Sequence, residues 1–360
     1  MRTTGKKRNL LVASVMITAV LAACGSSGSS SKPTTAPTAA PTTAAASGDT
    51  SAPTTAPAGP AASLTDCATP SGDKVKLAAN PWTGSEVNAQ VAKAIIECKF
   101  GTPVEIVEID ENATWVGMDD GSLDAVLEVW PSGHAADFKT YITDKKSVVD
   151  MGKLGPSAQI GWYIPKFVLA AHPELATSDG FKDPKLAKLF ATAESGDKGQ
   201  FLMGDPSYVT YDEQIIANLK LPLKYVVAGS EAALLTSIDQ ALKDQKPILL
   251  QFWQPHWKWS QDLPLVRVKL PDLTDACTAS AAAADGGFAC DYPIDNLYKA
   301  ANAGLQKKNA KVYDLILKLA LTTDQQNQIA GYIDGEKMKP ADAAKKWLDA
   351  NGAVWGAWIS

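Results

Sequence analysis

The stretch that decides the fold is Gln251-Phe-Trp-Gln-Pro-His-Trp-Lys-Trp259, which follows the strand-like run Pro247-Ile-Leu-Leu250. It holds three of the chain's ten tryptophans and one of its three histidines, and its proline ends regular structure. Indole rings are large, costly to expose and enriched at interfaces. Several of them beside a histidine at the end of a buried strand predict one wall of a ligand-binding cleft.

The chain before this stretch alternates strands with helices. Three runs there predict strands: Val75–Ala79, Val104–Ile109 and Leu123–Trp130. Thr83 and Glu86 have the spacing of a helix capping box directly after the first run, so a strand leads through a turn into a helix. This alternation is typical of a mostly parallel α/β sheet, in which ligands bind beyond the carboxyl ends of the strands. Trp82 and Trp130 both fall at such ends.

Residues 161–259 have a strand and helix rhythm of their own, and the tail is predicted to be mostly helical, including a helix over residues 296–308. A middle segment with its own sheet, flanked by two pieces that lack a complete fold alone, indicates two lobes joined by crossover strands. The assignment is lobe I for residues 65–160 and 260–360 and lobe II for residues 161–259. The chain is long enough for two cores, and the cleft between such lobes is where ligands bind.

The first 64 residues predict export and anchoring. Four basic residues precede the apolar run Leu10–Leu21, which is too short to cross a membrane comfortably and has the pattern of a secretory signal. Leu21-Ala-Ala-Cys24 resembles a bacterial lipobox, so we expect a lipoprotein signal peptide over residues 1–23 and lipidation of Cys24; ordinary secretion with a chance cysteine is the alternative. Residues 24–64, rich in Ser, Thr, Ala and Pro, predict a disordered tether. The expected location is the extracytoplasmic face of a bacterial cell membrane, held there by the lipid anchor.

Four further cysteines lie in the remainder of the chain: Cys67, Cys98, Cys277 and Cys290. An even number of cysteines in an oxidising compartment favours disulfides, and four of them allow three pairings. We prefer the two local pairs. Cys67–Cys98 would pin the N-terminal segment to a helix end, and Cys277–Cys290 would close a short loop rich in Ala and Gly.

Several function classes lack support in the sequence. It contains no Gly-x-Ser-x-Gly, no His-Glu-x-x-His and no phosphate-binding glycine loop. No Cys-x-x-Cys or His-rich spacing suggests a zinc or redox site. The formal net charge is −5, and no basic tract in the body of the chain suggests nucleic acid. We therefore predict a protein that is not an enzyme and that has no cofactor, metal or nucleic-acid partner.

Tryptophans at the predicted cleft edges suit a cation without N–H donors, such as a quaternary ammonium. Four fall at strand ends: Trp82, Trp130, Trp162 and Trp253. Each ring face attracts such an ion by about 0.5–2 kcal/mol. The carboxylate of a betaine would then bind the amides of Gly84 and Ser85 at a helix N-terminus, or His256. The same rings suit a sugar, so a cell-surface lectin is the alternative class, although these stretches supply few of the polar side chains that sugars need.

Three motifs occur in order along residues 70–355: Pro81-Trp-Thr-Gly84, Gly121-Ser-Leu-Asp-Ala125 leading into Glu128-Val-Trp-Pro131, and Phe252-Trp-Gln-Pro-His-Trp257. Together they resemble the substrate-binding proteins of ABC importers for glycine betaine, proline betaine, choline and related compatible solutes. The resemblance implies a two-lobed α/β fold of the type II periplasmic-binding-protein kind. It also implies a hinge that closes over the solute, and delivery of the solute to a membrane permease and its ATPase subunits.

The resemblance further implies particular ligand contacts, which are three cage tryptophans, a histidine near the ligand carboxylate and a tyrosine that closes over the ligand: Trp82, Trp130, Trp253, His256 and Tyr208. Tyr211 is the alternative for the closing tyrosine. Choline-binding relatives often have an acidic residue two positions after the first tryptophan, where this chain has Gly84. Some relatives also place an aromatic residue at the position of Ile160, and Trp162 does not obviously replace it. Glycine betaine is therefore the expected solute, with choline or another small cationic or amino-acid solute as the alternative.

Overall fold

A single sheet of nine strands runs through the parts of the chain that the structure, a computed structural model, describes, residues 62–281 and 286–360. The strands are β1 (Val75–Ala79), β2 (Val104–Glu108), β3 (Ala125–Val129), β4 (Val148–Pro165), β5 (Gly199–Met203), β6 (Leu223–Val227), β7 (Leu250–Gln254), β8 (Leu265–Val268) and β9 (Asp295–Asn302). Their order is β2-β1-β3-β9-β4-β7-β5-β6, and β8 pairs with β4 off this path. The first three strands are parallel to one another, as are β5, β6 and β7. The predicted α/β class is therefore confirmed.

Helices connect these strands and form the tail. They are α1 (Thr83–Ile95), α2 (Glu111–Asp120), α3 (Ala135–Asp137), α4 (Lys166–Ala171), α5 (Pro184–Ala187), α6 (Asp212–Asn218), α7 (Glu231–Lys243), α8 (Asp275–Ala281), α9 (Leu305–Lys308), α10 (Ala310–Lys318), α11 (Thr323–Ala330), α12 (Pro340–Ala350) and α13 (Gly352–Gly356). Shorter helical turns are also present: Ile96–Phe100 continues α1, and Trp257–Gln261 follows the strand β7.

The strand β4 joins the two halves of the sheet. It is 18 residues long; residues up to Ala158 pair antiparallel with β9, and residues from Gln159 onward pair antiparallel with β7 and β8. The first half contains two glycines with positive φ, Gly152 at 78° and Gly155 at 127°. A Cβ at Gly155 would lie 2.1 Å from the carbonyl oxygen of Leu321, so only glycine allows this approach. One continuous strand therefore serves both lobes.

Helices cover both faces of each half of the sheet. In the half with β1 to β3, α1 buries Val87 and Val91 on one face, and α2 buries Trp115 on the other. In the half with β5 to β7, α7 buries Leu234 on one face, and a second core that includes Phe201 lies on the other. Such spacing of apolar side chains places one stripe of each helix against the sheet.

The start of α1 differs by one residue from the expected capping box. Trp82 is the N-cap, with extended backbone (φ −145°), and no side chain caps the helix there. Thr83 is the first helical residue, and its hydroxyl donates to a carboxylate oxygen of Asp334 at 2.6 Å. The polar group that the pattern assigned to a cap is therefore used in a tertiary contact.

The pairing of β8 favours a lobe boundary different from the one predicted near residue 260. The strand β8 pairs with the last residues of β4, and Phe288 and Tyr292 pack in the same core as Trp162. We propose that residues 260–292 belong with lobe II and that the chain returns to lobe I at β9. The sequence carried no signal for this, because a lone strand pattern does not state which sheet the strand joins.

The predicted helix over residues 296–308 is wrong in its first half. Asp295–Asn302 forms β9, and only Leu305–Lys308 is helical. Ala, Leu and Lys favour a helix locally, but β9 lies between β3 and β4 and pairs antiparallel with both. Lys299 is buried there, and its Nζ donates to the carbonyl oxygens of Leu317 and Leu319 at 3.1 and 2.5 Å.

Both preferred local disulfides are present, Cys67–Cys98 and Cys277–Cys290. The first ties the segment before β1 to the helical turn that continues α1. The signal peptide, Cys24 and the tether up to residue 61 lie outside the described residues. In the part of the chain that the structure describes, no helix has the length and apolar character needed to cross a membrane.

Candidate ligand-binding site

A pocket lies between the two lobes and draws its lining from both. Its walls are four aromatic rings, two aliphatic side chains and three polar side chains: Trp82, Trp130, Tyr208 and Trp253, then Ile160 and Val209, then Glu111, Thr210 and Gln251. The space between its atoms, counted together with the opening to solvent, is about 350 Å³. The lining contains no Lys or Arg, so the pocket suits a small solute without net negative charge.

The aromatic residues come from strand ends, as the sequence predicted. Trp82 is the N-cap of α1 after β1, Trp130 directly follows β3, and Trp253 lies near the end of β7. Tyr208 lies in the loop between β5 and α6. Parallel strands present their carboxyl ends at one edge of a sheet, which is why residues far apart in sequence meet here.

Tyr208 joins the tryptophans of the two lobes. Its ring meets that of Trp82 edge to face at 5.8 Å and that of Trp253 edge to face at 5.6 Å. Its hydroxyl donates to the carbonyl oxygen of Pro81 at 3.1 Å. The ring faces and edges are thereby fixed relative to one another, as a host for a cation requires.

A buried carboxylate, Glu128, orients two of the rings. Its Oε1 accepts hydrogen bonds from the indole nitrogens of Trp82 at 2.7 Å and of Trp130 at 3.0 Å. Its Oε2 accepts from the side-chain amides of Asn88 at 2.7 Å and Gln326 at 2.6 Å. Burial raises the pKa of Glu128 to about 7, against the opposing effect of these hydrogen bonds. The quoted motif contained Glu128, but sequence reasoning gave it no role.

A second carboxylate, Glu111, lines the pocket itself. Its Oε1 accepts from the backbone N–H of Val209 at 3.1 Å, and its Oε2 lies 2.6 Å from Nε2 of His134. The other ring nitrogen of His134 lies 2.8 Å from Asp137. Burial lowers the pKa of His134, but the hydrogen bonds to Asp137 and Glu111 outweigh it and raise the pKa to about 9. The raised pKa favours the imidazolium form of His134, whose Nδ1 also lies 3.1 Å from the indole nitrogen of Trp115, and the contact with Nε2 holds Glu111 in place. Sequence reasoning missed both residues.

Further contacts cross from one lobe to the other beside the pocket. Tyr211 donates its hydroxyl proton to the carbonyl oxygen of Ser132 at 3.0 Å. A Cβ at Gly133 would lie 3.1 Å from a side-chain carbon of Val209, so the two backbones approach closely there. Together with the Tyr208 contact, these bonds indicate that the lobes are closed on each other.

His256 lies beside the aromatic pocket rather than in its lining. Its Nδ1 accepts from the backbone N–H of Lys258 at 3.1 Å, so Nε2 carries the proton and donates to Glu231 at 2.9 Å. The same Glu231 accepts from the backbone N–H of Thr83 at 2.7 Å. His256 is thus joined to the start of α1 through a carboxylate of the protein, and Glu231 is a third residue that the sequence did not single out.

Gly84 and Ser85 support the turn before α1 and do not line the aromatic pocket. A Cβ at Gly84 would lie 2.7 Å from the side-chain nitrogen of Gln326 and 3.1 Å from Oε2 of Glu128, so glycine leaves room for this pair. The Ser85 hydroxyl accepts from the backbone N–H of Asn80 at 2.9 Å.

The remaining tryptophans near the cleft pack elsewhere. Trp162 is fully buried in the core of lobe II and donates to Asp212 at 2.6 Å, so it does not replace the aromatic residue missing at Ile160. The indole nitrogens of Trp257 and Trp259 donate to Asp334 and to the carbonyl oxygen of Trp253. Among the described residues no cluster of His, Cys, Asp and Glu has the geometry of a metal site.

The sequence matches a known family over most of its folded part. The model of the substrate binding domain of the ABC-type glycine betaine transport system matches residues 73–350. The chain belongs to this family. It is a substrate-binding protein of an ABC transporter of the betaine and choline type, and members of this family bind solutes rather than catalyse reactions. The resemblance that the three motifs carried is therefore confirmed.

Individual relatives agree on the fold of this substrate-binding domain. The trimethylamine N-oxide-binding protein of Pelagibacter ubique (strain HTCC1062) is 28% identical over 297 residues, which cover 80% of this chain and 91% of the relative. Lactococcal OpuAC in its closed-liganded conformation with glycine betaine has a TM-score of 0.62 at 20% identity and covers 80% of this chain and 100% of its own. An ABC-transporter choline binding protein in complex with choline has a TM-score of 0.60 at 19% identity, over 80% of this chain and 92% of its own. The type II periplasmic-binding-protein fold is therefore confirmed.

Proposed function

We propose that this protein captures a quaternary-ammonium compatible solute in the aromatic pocket and delivers it to the permease of an ABC importer. The observation that carries the proposal is the set of four rings, Trp82, Trp130, Tyr208 and Trp253, closed around one small space. A trimethylammonium group has no N–H to donate, so ring faces are its best partners. The carboxylates Glu111 and Glu128 add negative charge beside the rings and behind them.

Three solutes share this head group and have support of different kinds. Glycine betaine is the solute that the sequence favours, and it is the ligand bound to lactococcal OpuAC. Choline is the ligand of the other structural neighbour described above. Trimethylamine N-oxide is named in the first of the relatives above.

Delivery requires the protein to stay near the membrane. The lipobox-like sequence before Cys24 supports lipid anchoring on the extracytoplasmic face, with the Ser, Thr, Ala and Pro-rich residues 24–64 as the link to the folded part. An anchored binding protein meets its permease without escaping into the medium.

A thermal-shift screen tests the ligand class. We expect glycine betaine, choline and trimethylamine N-oxide as a group to contain the stabilising ligands, and proline, ectoine and oligosaccharides to have no effect. A ligand at 100 times its Kd adds about 2.7 kcal/mol to the free energy of unfolding, which corresponds to a rise in Tm of roughly 5 °C or more. Stabilisation by sugars alone would contradict the proposal and support a lectin.

A further inference from the structure

Glu231 occupies a place where two groups of the protein are arranged to hold a carboxylate. It is the first residue of α7, belongs to lobe II and is 7% exposed. Its Oε2 accepts from the backbone N–H of Thr83 at 2.7 Å, and its Oε1 accepts from Nε2 of His256 at 2.9 Å. The hydroxyl of Thr83 has a single proton, which points to the nearer Asp334 at 2.6 Å rather than to Glu231 at 3.1 Å.

These two donors are the ones that a betaine's carboxylate needs. The N–H of Thr83 belongs to the N-terminal turn of α1, directly after the pocket residue Trp82, and offers the positive end of the helix dipole. His256 supplies the second donor, and Trp253 lies in contact with both the aromatic pocket and the smaller space around Glu231 and His256. In this chain both donors are already bound to Glu231.

We propose that Glu231 fills the position of a ligand carboxylate, so that the protein selects trimethylammonium solutes whose fourth substituent is not a carboxylate. This inference rests on the proposed function. It places glycine betaine behind choline and trimethylamine N-oxide, whereas the resemblance in sequence favours glycine betaine.

The surrounding charge disfavours a second carboxylate at this place. Glu128 and Asp334 both lie close enough to Glu231 to interact with its charge; Glu128 is buried and Asp334 is half-buried. An incoming carboxylate would have to displace Glu231 or lie beside three like charges. A choline or an N-oxide brings the positive head group without that repulsion.

The pocket offers a partner for a short polar substituent instead. Gln251 lines it and is 2% exposed, and its Oε1 has no hydrogen-bond partner among the described residues. A carboxamide oxygen accepts a hydrogen bond from a hydroxyl, and its NH2 group donates one to an N-oxide oxygen, so Gln251 serves both kinds of solute. A buried polar group without a hydrogen-bond partner costs free energy, and a ligand that forms a hydrogen bond with it removes that cost.

Titration calorimetry on the full chain tests the inference with three probes that share one head group: choline, trimethylamine N-oxide and glycine betaine. We expect choline or the N-oxide to bind at least tenfold more tightly than glycine betaine. Glycine betaine binding as tightly as the better of the other two would overturn the inference and leave the proposed function standing. Binding of none of the three would overturn the proposed function itself.

The variant Glu231→Ala tests the residue. Its removal frees the Thr83 N–H and His256 for a ligand carboxylate, so the affinity for glycine betaine relative to the better carboxylate-free probe should rise at least tenfold. The ratio is the readout because the variant also loses a contact between the lobes, which weakens all three solutes alike. Glu231→Gln, which keeps the size but not the charge, should move the ratio in the same direction.

A matched control comes from the same helix. Asp239 lies on α7 with a side chain that is 61% exposed and pairs with Lys258. Asp239→Ala should leave the ratio within twofold of the wild type. An unchanged ratio in folded Glu231→Ala and Glu231→Gln, with fold checked by circular dichroism, would show that Glu231 does not decide the choice.

Discussion

Glu128 shows how a single residue prepares the pocket for a cation. The indole nitrogens of Trp82 and Trp130 both donate to its Oε1, which fixes the two rings relative to each other. A negative charge at the N–H edge polarises an indole and makes its face more attractive to a cation. Burial of this carboxylate is costly, as its pKa of about 7 indicates, and such cost is more common at functional sites than in cores.

We expect Trp253→Ala to weaken binding of the best trimethylammonium solute at least tenfold. Trp253 is buried, and a desolvated ring face contributes about 2 kcal/mol of cation–π attraction, which corresponds to more than tenfold in Kd. Removing a buried Trp also costs about 3–5 kcal/mol of stability, which a domain of ordinary stability survives. Calorimetry measures the affinity, and a thermal melt checks that the variant is folded.

Trp253→Phe is the matched control for this prediction. It keeps an aromatic face at the same place, so its affinity should lie between those of the wild type and Trp253→Ala. Equal affinity of a folded Trp253→Ala and the wild type would remove Trp253 from the cage.

The raised pKa of His134 predicts that the free energy of unfolding depends on pH. Its pKa is raised from 6.5 to about 9 in the folded state. A histidine whose folded pKa is raised contributes its full stabilisation below pH 6.5 and loses it as the pH rises through 9. The difference of about 2.5 units corresponds to about 3 kcal/mol. Urea unfolding at pH 6 and at pH 9.5 should therefore show a larger loss of stability in the wild type than in His134→Gln.

The comparison with His134→Gln is needed because other groups titrate in the same range of pH. Burial lowers the pKa of Lys299 to about 8, so this group raises the stability as the pH rises from 8 toward 10.5. Glu128, whose pKa is raised, lowers the stability as the pH rises from 4.5 to 7. Both are present in wild type and variant, so they cancel in the difference. Parallel pH profiles of the two proteins would contradict the assignment of an imidazolium at His134.

The sequence predicted the rings of the pocket but not its carboxylates, for a physical reason. Tryptophans at strand ends are unusual enough to suggest a cleft. Glu111 and Glu231 each begin a helix, where an acidic residue has an ordinary explanation in the helix dipole. Only closure of the lobes brings Glu111 to Val209 and Glu231 to Thr83. A pattern along one chain does not contain contacts of that kind.

At the scale of elements, β9 marks the limit of local propensity. Its sequence, Asp-Asn-Leu-Tyr-Lys-Ala-Ala-Asn, contains good helix formers, yet it forms a central strand. The edges of β3 and β4 would otherwise leave unpaired backbone groups in the interior of the sheet, which costs more than the helix preference. The strands that the sequence predicted correctly were those bounded by turns and rich in Val, Ile and Leu, such as β1 and β3.

The loop between β5 and α6 carries the closing contacts of lobe II, which yields a prediction for Tyr208→Phe. The change keeps the ring against Trp82 and Trp253 but removes the hydroxyl that donates to Pro81. A net hydrogen bond contributes about 0.5–1.5 kcal/mol, so we expect a two- to tenfold weaker affinity through a less stable closed state. Calorimetry checks it.

Tyr313→Phe on α10 is the control for this loop, since it makes the same chemical change outside the pocket lining. Its affinity should equal that of the wild type. A Tyr208→Phe variant with wild-type affinity would mean that the hydroxyl contact does not contribute to closure.

At the scale of the whole molecule, the lipid anchor proposed at Cys24 predicts where the protein is found. Cys24→Ser removes the thiol sulfur to which a lipobox-processing pathway attaches lipid. We expect the wild type in the membrane fraction and the variant in the medium or the soluble extracytoplasmic fraction, each measured by immunoblot. Equal membrane association of both proteins would contradict lipidation at this residue.

Closure of the lobes follows from the charges that face one another across the cleft. In the closed state Glu128 of lobe I lies close enough to Glu231 of lobe II to interact with its charge, and without a cation these like charges oppose closure. Small-angle X-ray scattering should therefore give a smaller radius of gyration with a saturating trimethylammonium solute than without it. Salt screens repulsion between partly exposed groups, so high ionic strength should shift the ligand-free protein part of the way toward the closed dimension. Tyr208→Phe should need more solute for the same change. One radius of gyration in all of these conditions would mean that ligand binding does not drive closure, because a ligand shifts only an equilibrium between states that it binds differently.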